Sequence, residues 1–317
     1  MSFWRGKNVF LTGASGIVGS RVLKRLINQD SQITIFTSNP DFGVDISDAT
    51  KVKVACGTLQ DIESIKQAIN GQDFDAVLHF AGQSQVGHSE IADTFAVNTV
   101  GTLHLMRTLS EINSKASIML ASTAACCNAD NIFLNSYAAS KYCAEIIERN
   151  FAKATGLNSF SLRLGNIYGP GERHNSRLVM SLLTQILKDQ KITLRSSLKT
   201  QSNLLFVEDA VDAILSLTEY NSTEGNLPEN LVLCNTESVS IQRVIDELST
   251  LLALSTEVID EGVDLPTIKQ AVLSPSKFIT ENLAWQAKRS LNEGLRATIE
   301  WYQKEQSRKG KKNESLS

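Results

Sequence analysis

One segment near the N-terminus restricts the possible folds more than any other. Residues 9–12, Val-Phe-Leu-Thr, form a short apolar run of strand character. Gly13-Ala14-Ser15-Gly16-Ile17-Val18-Gly19 follows at once, then a helix-period segment over 20–28 and a second apolar run over 33–36. Strand, glycine turn, helix and strand in this order make a βαβ unit that can grip a dinucleotide. The glycines have separate tasks in it. Gly13 makes the turn, Gly16 lets the backbone approach a pyrophosphate, and Gly19 lets the helix lie close to the strand. The helix N-terminus offers N–H groups and partial positive charge to phosphates.

The end of the second strand normally separates NAD from NADP, through an acidic residue on the ribose or an arginine on a 2′-phosphate. Phe36-Thr37-Ser38-Asn39 contains neither. That strand end leaves the cofactor's phosphate state open: NAD or NADP is expected, with NAD slightly favoured.

The βα rhythm continues, with strands expected over 52–55, 76–80, 118–121 and 159–164. Helices are expected over 62–69, 94–112 and 137–155. The run Ala76-Val77-Leu78-His79-Phe80 carries no acidic or basic side chain other than the imidazole, as expected of a parallel strand covered on both faces. The polar loop after it, containing Gln83, Ser84 and Ser89, lies at a strand's carboxyl end, where doubly wound sheets build their ligand crevice. The fold class is α/β: a modified Rossmann fold, a doubly wound parallel sheet with a smaller C-terminal substrate-binding lobe. Past Leu164 the rhythm breaks into a turn-rich loop over 165–171. A helix over 178–188 and a strand over 192–195 follow. Residues 204–209 lead into a helix over 210–218, and 231–235 return as a last strand of the main sheet. An amphipathic segment over 240–252 and a helix over 290–302 complete the chain. The expected organisation is a dinucleotide-binding domain over 1–165, a substrate lobe over 166–303 whose residues near 204–235 rejoin the sheet, and a disordered basic tail over 304–317. The site is expected between the two.

The chemistry is carried by Leu120-Ala121-Ser122-Thr123-Ala124-Ala125 and by Tyr137-Ala138-Ala139-Ser140-Lys141. Tyr137 and Lys141 stand four apart on a helix, so they share a face. A free tyrosine has a pKa of about 10, and a neighbouring ammonium favours its phenolate. With a strand-end hydroxyl from Ser122 or Thr123, this is a proton-transfer device for a carbinol–carbonyl pair, and it needs a hydride acceptor beside it.

Composition excludes several alternatives. With 31 basic and 34 acidic residues the formal charge is -3, and no basic groove is available for nucleic acid. No apolar run is long enough to span a membrane, and the first residues lead into a strand with no room for a signal peptide. The five cysteines, Cys56, Cys126, Cys127, Cys143 and Cys234, show no metal-ligand spacing, so no metal is expected and a reducing cytoplasm is the expected location. The Cys126-Cys127 pair reads as packing after the strand.

Taken together, these residues resemble the extended short-chain dehydrogenase/reductase superfamily, in its NAD-dependent epimerase/dehydratase branch that modifies nucleotide sugars. The resemblance runs from Lys7 to about Tyr302. Its landmarks are Thr12-Gly13-x-x-Gly16-x-x-Gly19, His79-Phe80-Ala81-Gly82, Asn98 with Gly101-Thr102, Ser122-Thr123, and Tyr137-x-x-x-Lys141. Arg163-x-x-Asn166-x-Tyr168-Gly169-Pro170, Val207-x-Asp209 and Ser290-Leu291-x-Glu293-Gly294-Leu295 continue it.

The resemblance implies that Gly13, Ser15, Gly16, Ile17 and Gly19 line a pyrophosphate. Thr37, Leu59, Ala81, Gly82, Gln83 and Asn98 would complete the cofactor site. Lys141 would hold the nicotinamide ribose and lower the pKa of Tyr137, the general base, while Thr123 shares its proton. Ser84, Ser89, Thr123, Asn166, Arg177 and Arg195 would face a nucleotide-diphosphate sugar. Asn98 and Arg163 could equally brace the scaffold, and Asp209 could cap the helix that begins there. A homodimer built on the helices over 94–112 and 137–155 is also implied, as is a place in polysaccharide biosynthesis.

The sequence departs from the family pattern at several points. Ala124-Ala125 replaces the Asp-Glu pair that 4,6-dehydratases need, and decarboxylating relatives also use a glutamate there. Cys127 replaces a tyrosine, Thr58 an aspartate that reaches the adenine, and Ser202 an arginine that binds substrate phosphate. Arg195 or Arg177 could supply that charge. The hexose 4-epimerases fit best. Net NADPH-dependent reduction of a 4-keto nucleotide sugar is the first alternative, and a non-catalytic dinucleotide-binding regulator the second.

Overall fold

The computed structural model describes residues 2–39, 45–46, 49–84, 91–128, 135–194, 196–260 and 273–314. Among them are the strands β1 Asn8–Thr12, β2 Gln32–Thr37, β3 Val52–Cys56, β4 Ala76–His79, β5 Ser117–Thr123 and β6 Ser159–Leu164. The helices that alternate with them are α1 Ile17–Asn28, α2 Ile62–Ile69, α3 Ile91–Phe95, α4 Gly101–Glu111 and α5 Ser136–Thr155. Between α3 and α4 the chain winds as a π-helix over Ala96–Val100, where the sequence predicts one unbroken helix.

After β6 come β7 Asn166–Tyr168, α6 Leu178–Asp189, β8 Lys191–Leu194, β9 Gln201–Ser202, β10 Leu204–Phe206, α7 Val207–Thr223 and β11 Leu231–Leu233. Then follow β12 Val239–Ser240, α8 Ile241–Leu252, β13 Glu257–Asp260, α9 Lys277–Glu281 and α10 Leu291–Glu314. The polar stretch read as a disordered tail therefore continues α10 as far as Glu314. Its Lys, Arg, Gln and Glu residues are good helix formers, and Arg308 pairs with Glu305 one turn away.

The chain divides into two compact units. The first comprises residues 1–165, 211–233 and 275–285, and the second 166–210, 234–274 and 286–317. In the first, seven parallel strands lie in the order β11-β6-β5-β4-β1-β2-β3. The sheet thus grows outward in both directions from β1 and β4, which pair with Thr12 opposite His79. That reversal of strand order is the point where an open sheet leaves a crevice at its carboxyl ends. Phe10, Phe36, Ile65, Val77, Leu105 and Ile118 form part of a core cluster in this unit.

The second unit holds three two-stranded pairs: β7 with β10, β9 with β12, and β8 with β13. Its core gathers Tyr168, Leu183, Ile186, Phe206, Val244, Leu248 and Leu295. Ser290 and Glu293 form a reciprocal capping box at the start of α10. The Ser290 backbone N–H donates to Glu293 Oε2 (2.8 Å), and the Glu293 N–H donates to Ser290 Oγ (3.3 Å). Asp209 lies within the first turn of α7 and accepts from the backbone N–H and the guanidinium of Arg289.

Candidate functional site

The glycine turn and the loop after β4 meet at the reversal point. Gly13 has φ +74°, a left-handed conformation in which a side chain is strained. A Cβ on it would lie 2.5 Å from the backbone N of Ala81, and one on Gly19 would lie 2.1 Å from the Gly13 carbonyl oxygen. Both glycines are therefore demanded by close backbone approach. A Cβ on Gly16 would meet only the Gly13 oxygen, at 3.4 Å, an ordinary contact. Among the described residues nothing requires glycine there. Gly16 is the N-cap of α1 and makes no side-chain cap, so the helix N-terminus is not closed by a side chain of its own. Ser15 is exposed and Ile17 half-buried beside it. The helix begins at Ile17, three residues before the sequence predicts.

His79, at the end of β4, holds this region together. Its Nδ1 lies 2.7 Å from Thr12 Oγ1 and its Nε2 lies 3.2 Å from Thr102 Oγ1. Thr102 gives its hydroxyl hydrogen to the Asn98 carbonyl (2.7 Å), so it must accept from His79 Nε2–H. Thr12 accepts the Ala81 N–H (3.1 Å) and can donate to Nδ1. One ring proton satisfies the whole chain, and the imidazole is neutral. Burial, then the charge on Lys141, hold its pKa down at about 3.

Asn98 braces the same loop. Its Oδ1 accepts from Gln83 N (2.8 Å), and its Nδ2 donates to the Gln83 carbonyl (3.0 Å) and to Ser140 Oγ on α5 (2.9 Å). Its amide is thus committed to the backbone around Gln83 and to α5, which favours the bracing reading. Ser84 is half-buried in that loop. Thr37 bonds back to Asn39 N and O. Leu59 is buried, and a Cβ on Gly101 would lie 2.7 Å from its Cβ.

Helix α5 begins where Asn135 accepts the N–H groups of Tyr137 (2.9 Å) and Ala138 (3.2 Å). It ends at Gly156, which turns left-handed with φ +73°. Tyr137 is half-buried on its first turn. Lys141, one turn on, is only 3% exposed. Its Nζ donates to the Ala121 carbonyl of β5 (3.0 Å). A Cβ on Gly82 would lie 2.9 Å from the same Nζ. The ammonium therefore sits between the end of β5 and the β4 loop. Burial pulls its pKa down to about 8, with Cys126 and Glu145 acting against that shift.

The two strand-end hydroxyls are placed differently. Thr123 caps the short 3-10 turn over Ala124–Cys127 by accepting the Ala125 N–H (3.3 Å), and it is half-buried. Ser122 is buried and donates to Glu145 Oε1 (2.5 Å). Arg163 clasps the same carboxylate through Nε (2.9 Å) and Nη2 (2.8 Å), so it too braces. Desolvation works against the Arg163 charge, and Glu145 outweighs it and raises the pKa. The sequence reading missed Glu145. The signal was its place four residues after Lys141, on the same helical row.

All five cysteines are free thiols. Cys126 is buried, donates weakly to the Ala138 carbonyl, and burial raises its pKa to about 11. Cys127 is exposed, 3.9 Å from Arg163 Nη1. Of the expected substrate contacts, Asn166 and Arg177 belong to the second unit and are exposed. Asn166 Nδ2 donates to Ser202 Oγ there (2.9 Å). Ser89 and Arg195 lie outside the described residues. Among the described residues no group of His, Cys, Asp and Glu is arranged to hold a metal, and no helix is long and apolar enough to cross a membrane.

The model of a family described as the NAD dependent epimerase/dehydratase family matches residues 9–232. The chain is 21% identical to CDP-glucose 4,6-dehydratase of Salmonella typhimurium, over 95% of this chain and 92% of that protein. It is 23% identical to dTDP-4-dehydro-6-deoxy-D-allose reductase of Streptomyces bikiniensis, over 94% and 97%. Among solved structures, UDP-glucose 4-epimerase of Thermotoga maritima with UDP-glucose superposes with a TM-score of 0.81 at 21% identity, covering 94% of this chain and 99% of that one. dTDP-glucose 4,6-dehydratase of Bacillus anthracis in complex with NAD gives 0.78 at 19% identity, covering 94% and 97%. These superpositions establish a Rossmann-like fold shared with both.

Proposed function

The chain belongs to the NAD-dependent epimerase/dehydratase family, and from that premise we propose that it epimerises a nucleotide-diphosphate sugar at a carbinol carbon, C4. One observation carries this choice. The strand end bearing Thr123 continues as Ala124-Ala125, which offers neither an acid nor a base for eliminating water. Names among the relatives include dehydratases, but the chemistry of dehydration needs groups that this strand end lacks.

The residues at the reversal point fit a dinucleotide. Gly13 and Gly19 bring two backbones into contact, Gly16 leaves its approach open, and α1 presents its N-terminus over them. A bound nicotinamide supplies the acceptor, and then the donor, of a hydride. Ser15, Ile17, Thr37, Leu59, Ala81, Gly82 and Gln83 are the proposed remaining contacts. NAD is favoured, since neighbours of the same fold are solved with it. Tyr137 takes the proton from the sugar hydroxyl, and Lys141 stabilises the phenolate that Tyr137 must become. Thr123 donates to the oxygen as its charge changes. Tyr137 would give the proton back to the same oxygen while hydride re-enters on the opposite face of the carbon, which would yield the epimer with no net redox change. The second unit is proposed to hold the sugar nucleotide through Asn166, Arg177 and Arg195, with Ser84 and Ser89 toward the sugar. Exposed Val100, Leu103 and Ile146 on the helices flanking the site support a homodimer packed there.

Incubation with UDP-, dTDP- and CDP-glucose, followed by NMR of the sugar, tests the reading. Formation of the C4 epimer without added cofactor is expected. A second reading, net reduction of a 4-keto sugar, is favoured by the full-length match to an allose reductase; it requires turnover only with added NADPH. Cofactor binding with neither activity would instead leave a non-catalytic regulator.

A further inference from the structure

Glu145 lies outside the chemistry described above, yet it is saturated with partners. It is fully buried. Oε1 accepts from Ser122 Oγ (2.5 Å) and Arg163 Nε (2.9 Å), and Oε2 accepts from Arg163 Nη2 (2.8 Å) and Arg149 Nη2 (3.3 Å). A buried carboxylate is stable only with such satisfaction. What it joins matters more than how well it is joined. Tyr137, Lys141, Glu145 and Arg149 recur every four residues, so they form one row along α5. The partners of Glu145 off the helix sit at the ends of two adjacent strands: Ser122 and Arg163 are paired residues of β5 and β6.

The last residues of β5 divide the work. Ala121 gives its carbonyl to Lys141, Ser122 gives its hydroxyl to Glu145, and Thr123 ends the strand. Holding Ser122 therefore holds the peptide that anchors the ammonium on one side and the Thr123 hydroxyl on the other. The same carboxylate supplies a negative charge one turn along the row from Lys141.

We propose that Glu145 is a positioning residue for the Tyr137–Lys141 pair: through Ser122 it fixes the strand end that anchors Lys141, and along the helix it keeps that lysine charged. This rests on the reading of Tyr137 and Lys141 as the acid–base pair. The groups around Lys141 are Tyr137 and Glu145 on its own helix, Cys126 from the turn after β5, His79 at the end of β4, and Asn98 across Gly82. Arg163 from β6, with Cys127 beside it, stands behind Glu145. Of these, His79 is neutral, and burial keeps the Cys126 thiol protonated near neutrality. Glu145 is thus the standing negative charge in this set.

The test follows Lys141 directly. Full-length protein labelled with 13C at lysine Cε is titrated by NMR, with the Lys141 signal identified by its loss in Lys141→Met. The wild-type midpoint is expected near 8. In Glu145→Gln it is expected to fall by about one pH unit or more, roughly a tenfold loss of ammonium at fixed pH. A midpoint within about 0.3 units of wild type in folded Glu145→Gln overturns the proposal, since losing the charge and loosening the strand end would each lower it. If Glu145→Gln does not fold, Ser122→Ala decides, because it deletes one hydroxyl and leaves every charge in place. A midpoint lowered by about half a unit or more is expected as Ala121 loosens from Lys141, and no change overturns the proposal. Neither readout needs substrate or turnover, so a failed epimerase assay would not be confused with a failure here.

Discussion

Replacing Lys141 by methionine should make the protein more tolerant of neutral pH than of alkaline pH, relative to wild type. Lys141 is 3% exposed, and burial lowers its pKa from 10.5 to about 8. Between those values the unfolded chain binds more protons than the folded one, so wild-type stability rises as pH climbs from 8 toward 10.5. Below 8 the charged folded state carries the full cost, about 3.4 kcal/mol. Methionine removes the charge at every pH. It also strands the Ala121 carbonyl, which now accepts from Nζ, at a cost of about 1–3 kcal/mol that does not depend on pH. The absolute stability change thus mixes two terms of opposite sign. Its pH dependence isolates the first: the stability of Lys141→Met relative to wild type should decline by about 2.5 kcal/mol between about pH 7 and pH 10. Urea denaturation of both proteins across that range measures it. A difference that stays flat would show that this lysine titrates at its ordinary value, and the buried-ammonium site would be wrong.

Gly13→Ala puts a Cβ 2.5 Å from Ala81 N at φ +74°. It should cost about 2 kcal/mol or more in a denaturant melt and weaken NAD binding in calorimetry; unchanged values in both would refute the close turn. His79 is buried and neutral with a pKa near 3, so the folded state resists protonation and stability is lost as pH falls below 6.5. Wild type should lose about 2 kcal/mol more than His79→Gln between about pH 7.5 and pH 5, and parallel acid melts would contradict the neutral-imidazole chain. Arg163→Met leaves a buried carboxylate without its fork and should destabilise by about 3–5 kcal/mol; a loss under about 1 kcal/mol would mean that Arg149 and Ser122 suffice.

The main sheet was legible because buried parallel strands read as apolar runs. Residues 159–164 match β6 end for end, and 62–69 match α2. The pairs in the second unit were not. Asn166–Tyr168 is three residues long and exists only because Leu204–Phe206 lies beside it, a partner that no local pattern announces. The π-helix over Ala96–Val100 keeps a helical composition, so its widened turn has no separate signature. In the site, glycine spacing and the Tyr137–Lys141 interval were visible because each encodes local geometry. Glu145 was not, since a glutamate on a helix reads as solvated until Ser122 and Arg163 are brought to it from two strands. The same pairing explains why Ser122, grouped with Thr123 in the sequence, turns out to face Glu145.

The central claim is that Tyr137 is the acid–base group beside a dinucleotide held at the Gly13 turn. Tyr137→Phe, assayed for sugar epimerisation and titrated with NAD in parallel, tests it most directly. The account predicts turnover reduced about 10²–10⁴-fold with NAD affinity retained. Turnover at the wild-type level in Tyr137→Phe would contradict it.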